Sequence, residues 1–354
     1  MILLYGYYGE RNAGDDAFTT ICANELVRRG HRQIGVLGSE LPRVTHLPAR
    51  ALYFRRRFRG LSTRIEHARI NHWLARGAQI VIGGGSLFRS STSLIQLGRL
   101  LDRSPRAGHH ALGVSVGPFR DRQAVQHCRE VLERLDSIGV RDEVSLARAR
   151  EIAPGANLRL TFDLAPLLSR WLAQPETEVP AQTGALGVAL CGPALSEQGY
   201  QAIHKSLWHW LHGRPDRSVV LLPFNTHPRK GDLAIHERLG RELRGVGEVE
   251  FYRYTGDPRA MWYRIGRLDC ILAMRLHAAV FGYCTNRPVL IVPYEEKCHA
   301  WARMIGHRPE LVVDAPALDV TDVDRVSSAL PGTVASLPIS EAVSRATINF
   351  EWAD

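Results

Sequence analysis

Lysine is nearly missing from this 354-residue sequence. Lys and Arg together number 45, and only Lys205, Lys230 and Lys297 are lysine. An arginine excess of this kind weakens any argument from one isolated Arg. Cysteine is sparse and scattered: Cys22, Cys128, Cys191, Cys270, Cys284 and Cys298 form no C-x-x-C pair. That spacing suggests neither a zinc site nor a disulfide framework. Long hydrophobic runs are also lacking, and none approaches the roughly 20 residues a membrane helix needs. There is no Gly-Lys-Ser/Thr P-loop and no G-x-G-x-x-G dinucleotide fingerprint. No nucleic-acid module is recognisable, so no nucleic-acid partner is expected. The first residues enter a strand-like segment directly, without the basic start and apolar core of a signal peptide. A cytoplasmic protein is expected.

What the sequence does have is a strong α/β rhythm. Strand-like segments Ile2–Tyr8, Ile34–Leu37, Gln79–Ile82, Ala111–Val116, Ser137–Val140 and Leu158–Phe162 alternate with helical patterns such as Asp15–Arg29 and Arg122–Leu135. This is the pattern of a parallel sheet covered by helices on both faces. A polar, Pro-flanked stretch over 174–184 interrupts it and reads as a linker. A second series then follows, with strands Ala185–Leu190, Ser218–Pro223, Glu248–Tyr252, Cys270–Ala273 and Val289–Val292. The expected organisation is an N-terminal domain over 1–173, a C-terminal domain over 185–313, and a tail over 314–354. Ser340–Thr347 is expected to form a last helix, packing back on the first domain. Two Rossmann-like halves of this kind face a cleft, and ligands of open α/β sheets bind beyond the strands' carboxyl ends.

The notable motifs fall at such ends. Met274-Arg275-Leu276-His277 joins a buried strand to an apolar helix. A helix start offers unpaired N–H groups. The Arg275 fork matches carboxylate or phosphate, and His277 can exchange a proton near neutral pH. Gly6–Ala17 carries three glycines followed by Asp15 and Asp16, either of which can cap the next helix. Asn12 and Asp15 stand there as contacts to substrate hydroxyls or as a base, or as parts of a turn. Gly83-Gly84-Gly85-Ser86 ends a buried strand, where backbone N–H groups can line a ligand or simply make a crowded turn. Arg141 follows a strand, and Asp142 looks like the cap of the next helix. An Arg–Asp surface pair is the competing reading. Asp163 can orient an Arg, bind a sugar hydroxyl or shape a turn. His227 sits in the loop Asn225-Thr226-His227, ahead of Lys230-Gly231-Asp232. Lys297 follows Tyr294-Glu295-Glu296, and adds charge to a pocket or sits on a solvated helix face.

In this order the motifs resemble the polysaccharide pyruvyl transferase family. They run from the G-Y-x-G-x-x-N-x-G-D start through G-G-G-S-L, G-x-G-P, V-R-D and T-x-D to M-R-L-H, over roughly residues 1–306. The departures are small, such as Asp16 where Glu is common. The resemblance implies a GT-B-like fold and phosphoenolpyruvate as donor. It also implies a donor site built from Arg141 of the first domain with Arg275, Leu276 and His277 of the second. Such enzymes place a pyruvate ketal on sugar hydroxyls. Two guanidinium groups suit a donor with a carboxylate and a phosphate, and a protonated His can supply the proton its C3 needs. Asp15 and Asp163 are expected to orient the acceptor or take its proton. Gly84, Gly85, Ser86, Asn12, His227 and Lys297 are expected substrate contacts. No metal or redox cofactor is required. The acceptor is expected to be a lipid-linked or nucleotide-linked sugar of exopolysaccharide or cell-envelope synthesis. The net charge of +9 favours acidic partners. Arg50, Arg55, Arg56, Arg57 and Arg59, beside Tyr53, Phe54 and Phe58, form either a peripheral contact to anionic membrane or an exposed loop. Two other readings stand beside this one: a nucleotide-sugar glycosyltransferase on the same scaffold, and a non-catalytic glycan- or anion-binding protein.

Overall fold

The computed structural model describes residues 1–38, 51–55, 61–104, 108–172 and 184–354, with 51–55 and 61–67 described by their backbone only. Two compact units divide the chain. Unit 1 comprises Met1–Glu10, Asp15–Trp171 and Ala342–Asp354, and unit 2 comprises Arg11–Gly14 and Leu172–Glu341. The expected linker over 174–184 lies outside the described residues apart from Gly184.

Unit 1 holds strands β1 (Ile2–Tyr5), β2 (Ile34–Gly38), β3 (Ala51–Arg55), β4 (Gln79–Phe88), β5 (His110–Val116), β6 (Ser137–Val140) and β7 (Leu158–Leu160). They form one parallel sheet in the order β3-β2-β1-β4-β5-β6-β7. Its helices include α1 (Ala13–Arg28), which begins on unit 2 residues, α2 (Leu61–Ala75), α3 (Ser91–Asp102), α4 (Arg122–Leu132) and α5 (Glu143–Ile152). The central strands are buried on both faces, as their near-continuous Ile, Leu and Val content requires.

Two features differ from the sequence reading. The edge strand β3 was not expected, because its apolar core is hidden among arginines. Arg50 and 56–59, and the side chains of 51–55, lie outside the described residues, so the suggested membrane contact does too. The second difference is Gly83-Gly84-Gly85-Ser86, which forms no turn after a short strand. It continues β4 to Phe88, with a register shift against β5 between Gly85 and Phe88. Gly84 and Gly85 adopt φ of 71° and 86°, a conformation open to Gly at no steric cost. An irregular strand thus passes a backbone kink through the sheet while keeping its pairing.

The C-terminal residues of unit 1 are tied down by Asn349. Its Oδ1 accepts from Gly113 N at 2.7 Å and Thr161 Oγ1 at 2.9 Å, and its Nδ2 donates to Phe162 O and Ala346 O, each at 3.1 Å. Asn349 therefore braces the chain immediately before Asp163.

Unit 2 holds β8 (Ala185–Ala189), β9 (Ser218–Leu221), β10 (Glu248–Phe251), β11 (Cys270–Ala273) and β12 (Val289–Ile291), parallel in the order β10-β9-β8-β11-β12. Helices α6 (Glu197–Leu211), α7 (Leu233–Glu242), α8 (Pro258–Ile265), α9 (Leu276–Cys284), α10 (Glu296–Met304) and α11 (Val320–Ser327) follow, and α12 (Ile339–Thr347) leads into the last residues of unit 1. Leu186, Val188, Leu221, Leu272 and Leu290 form the core of the sheet with Ile203 and Leu207 of α6. The strand order reverses at β8 and β11, so the loops leaving these strands open a crevice at their carboxyl ends. No helix among the described residues is long and apolar enough to cross a membrane.

Candidate active site at the strand ends of unit 2

The crevice of unit 2 gathers polar side chains from four neighbouring strands. Leaving β11, the N–H groups of Met274 and Arg275 both donate to Ala189 O, at 2.9 and 3.2 Å, which pins the junction to the end of β8. Arg275 is the N-cap of α9, with extended backbone and no side-chain cap. Ala278 N and Ala279 N close the first helical bonds onto Arg275 O. Leu276 and His277 occupy the first turn, where backbone N–H groups have no partner within the helix.

The Arg275 guanidinium is held from one side. Its Nε donates to Asp232 Oδ2 at 2.9 Å and its Nη2 to Asp232 Oδ1 at 2.5 Å. Asp232 is completely buried. Burial lowers the Arg275 pKa, but the charge and hydrogen bonds of Asp232 outweigh it and hold the group above its ordinary value. Asp232 ends the loop after β9, and the sequence reading gives Lys230-Gly231-Asp232 no role of its own. It is the site residue that the sequence reading passed over. An acid four residues after Pro228, beyond an exposed turn over 228–230, carries no local sign that it pairs with an Arg two strands away.

Lys297 lies at the end of the neighbouring β12, on α10. Its Nζ is 2.8 Å from Glu295 Oε2 and 4.9 Å from the centre of the Tyr294 ring. Burial lowers its pKa, and Tyr294 and Glu295 more than restore it, so the amine stays charged. It is therefore half-buried against Tyr294 and not on a fully solvated helix face. The thiol of Cys191, just beyond β8, feels both Arg275 and Lys297. Burial nonetheless pushes it up to about 11, so it remains a neutral thiol. Each cation has a carboxylate partner, so the crevice offers directed donors more than net positive charge.

Residues Arg11–Gly14 belong to unit 2. Ala13 N donates to Phe224 O and Thr226 N to Arg11 O, each at 2.9 Å, and Asn12 bridges Asn225. Asn12 Oδ1 accepts from Gly14 N at 3.1 Å. Asn12 therefore caps α1, in place of Asp15 or Asp16. Asp16 instead accepts from Gly9 N at 3.1 Å. Gly14 lies against the imidazole of His277: a Cβ at this position would come 1.9 Å from His277 Nδ1. Gly14→Ala must displace either the ring or the helix start. With His277 read as the proton donor proposed below, it is expected to lower turnover about tenfold to a hundredfold while the protein stays folded, the scale of loss from misplacing a reacting group by about 1 Å. Steady-state rates alongside a thermal melt check this, and wild-type turnover would contradict it. His227 is half-buried in the same loop, with its Nδ1 accepting from Arg229 N at 3.2 Å.

The remaining candidates are in unit 1. Arg141 Nη1 donates to Asp163 Oδ2 at 2.9 Å, with side-chain exposures of only 4% and 1%. The surface-pair reading of Arg141 is thereby corrected, since its principal partner is a buried carboxylate. Asp163 Oδ1 also accepts from Ala165 N at 2.9 Å, so its two oxygens hold Arg141 and its own loop. Asp142 caps α5, its Oδ1 accepting from Ser145 N at 2.7 Å. Asp15 lies close to the kink of β4: a Cβ on Gly85 would come 3.3 Å from its Oδ1. Ser86 is half-buried beside it in sequence.

Two parallel-sheet α/β units carrying polar groups at their strand ends place the chain in the GT-B-like class. Solved structures agree. A UDP-GlcNAc 2-epimerase from Methanocaldococcus jannaschii superposes with a TM-score of 0.64 at 8% identity, covering 98% of each chain. The UDP-GlcNAc 2-epimerase from Neisseria meningitidis bound to UDP-GlcNAc gives 0.60 at 12%, covering 99% of each. Anabaena HepE in complex with UDP gives 0.55 at 11%, covering 99% of this chain and 96% of that one. At these identities the likeness is one of fold. No curated protein matches the sequence significantly. The family model for polysaccharide pyruvyl transferase matches residues 12–296, and the chain belongs to that family.

Proposed function

We propose that this pyruvyl transferase takes the enolpyruvyl group of phosphoenolpyruvate and places it on sugar hydroxyls as a pyruvate ketal, releasing phosphate. The observation that carries the reading is Arg275 clamped on one edge by Asp232, with His277 two residues on in the first turn of α9. A fixed guanidinium and an adjacent imidazole supply what the donor needs: a planar anion contact and a proton source.

The reaction balances with these groups. His277 gives a proton to C3 of the donor, which becomes a methyl group and leaves C2 electrophilic. A sugar hydroxyl oxygen bonds to C2 and loses its proton, and phosphate departs with its bridging oxygen, stabilised by Arg275 and Lys297. A second hydroxyl bonds to C2 and closes the ketal; of the two hydroxyl protons, one restores His277 and the other leaves with the phosphate. Arg141 keeps its proposed donor role from the family resemblance, with Asp163 as the residue that holds it. Asp15 and the Gly84–Ser86 backbone are proposed acceptor contacts, as are Asn12 and His227. The proposed setting is cytoplasmic synthesis of an exopolysaccharide or envelope glycan on a lipid-linked or nucleotide-linked acceptor, with Arg50–Arg59 as the membrane contact.

Structural neighbours crystallised with UDP or UDP-GlcNAc favour a second reading, a nucleotide-sugar enzyme. Calorimetric titration with phosphoenolpyruvate and with UDP-GlcNAc separates the two. Saturable binding of phosphoenolpyruvate supports the transferase. Binding of UDP-GlcNAc alone moves the assignment to the second reading.

A further inference from the structure

We propose that Asp232 is the positioning residue of the donor site, locking Arg275 side-on so that only its outer edge meets an anion. The proposal deepens the phosphoenolpyruvate reading and rests on it. A guanidinium has five N–H donors on three edges. Asp232 takes the Nε–Nη2 edge, and among the described residues Nη1 makes no bond. The end-on edge formed by Nη1 and Nη2 is the one that remains to face a carboxylate or phosphate.

Asp232 is itself fixed from several sides. Its Oδ2 accepts from Asn225 N at 3.0 Å, at the end of β9, and its Oδ1 from Gly192 N at 3.2 Å, beyond β8. Its backbone N–H donates to Asn225 O. Its carbonyl lies 2.8 Å from Nδ1 of the fully buried His236, one turn into α7, while His236 Nε2 accepts from Leu190 N at 3.1 Å. Those partners put the His236 proton on Nδ1, and burial keeps the ring neutral by lowering its pKa. Gly231 leaves no room for the loop to relax, since a Cβ there would come 2.5 Å from both Asn225 O and His227 O. One carboxylate therefore joins the ends of β8, β9 and β11 and delivers a single orientation of Arg275. A side chain held this way loses little further freedom when the anion arrives.

The test is a double-mutant cycle on phosphoenolpyruvate binding with Asp232→Asn and Arg275→Ala. Asp232→Asn is expected to weaken binding tenfold or more in the wild-type background and to have no further effect in the Arg275→Ala background. Equal effects in both backgrounds would overturn the proposal, because Asp232 would then act on the fold and not through Arg275. A second measurement uses the unaltered protein and so does not depend on whether Asp232→Asn folds. The exchange of the Arg275 Nε proton, followed by NMR, is expected to be slow in the free protein and to stay slow with phosphoenolpyruvate. Fast exchange in the free protein would also overturn the lock. If the wild-type protein binds no phosphoenolpyruvate while the Nε proton stays protected, the donor reading fails and the lock survives.

Discussion

His277→Ala is expected to bind phosphoenolpyruvate at close to wild-type strength and to lose turnover by about a hundredfold to ten-thousandfold, the usual contribution of a positioned proton donor. The reason lies in the division of labour across the α9 start. On the proposed reading Arg275 carries the anion-binding edge, while His277 follows it in the first turn and packs against Gly14. Removing the imidazole leaves the Asp232–Arg275 pair untouched. On the same reading it takes away the proton that makes C2 of the donor electrophilic. His277→Gln is the sharper control, because it keeps polar bulk beside Gly14 and cannot protonate carbon. Both variants are expected to show a fall in kcat with little change in donor Kd. Near-normal turnover of either would place the acid elsewhere.

Arg275→Ala is expected to fail earlier, at binding. A paired contact from a guanidinium to an anion comprises two charge-assisted hydrogen bonds of about 1.5–3 kcal/mol each. Their joint loss corresponds to about a hundredfold or more in donor affinity at 1.4 kcal/mol per decade. A second consequence is separate from function. Alanine strands the buried Asp232 carboxylate without its cation, which typically costs about 3–5 kcal/mol of stability. Arg275→Ala should therefore also unfold at lower denaturant concentration. Arg275→Lys distinguishes the two effects, because it keeps the charge beside Asp232 but lacks the planar fork. It should recover much of the stability and little of the donor affinity. Full affinity in the Lys variant would mean that charge alone, not the fork, holds the donor.

Apart from the edge strand β3, the strands of both units were legible as near-continuous apolar runs, and the helices as longer apolar-patterned segments between them. The Met274–His277 junction was legible for the same reason: a buried strand, two chemically active side chains and an apolar helix occur in sequence. The misses share a cause. Asp232 meets Arg275 across β8, a pairing fixed by sheet order and not by any local spacing. Arg141 gave no sign that its main partner was Asp163 at the next strand end and not the adjacent Asp142. Gly14 looked like turn punctuation, although what constrains it is the ring of His277. The Gly83–Gly85 run was read as a strand terminator because glycine disfavours strands. Here positive φ at two residues lets the strand kink and continue.

The most direct measurement is the reaction run in deuterated water with phosphoenolpyruvate and a lipid-linked or nucleotide-linked sugar, reading phosphate release and the product by mass and NMR. The account predicts one phosphate per pyruvate ketal, a ketal methyl group carrying one deuterium from C3 protonation, and both products formed about a hundredfold or more slowly with His277→Ala. Sugar transfer from a nucleotide donor, with phosphoenolpyruvate left intact, would contradict it.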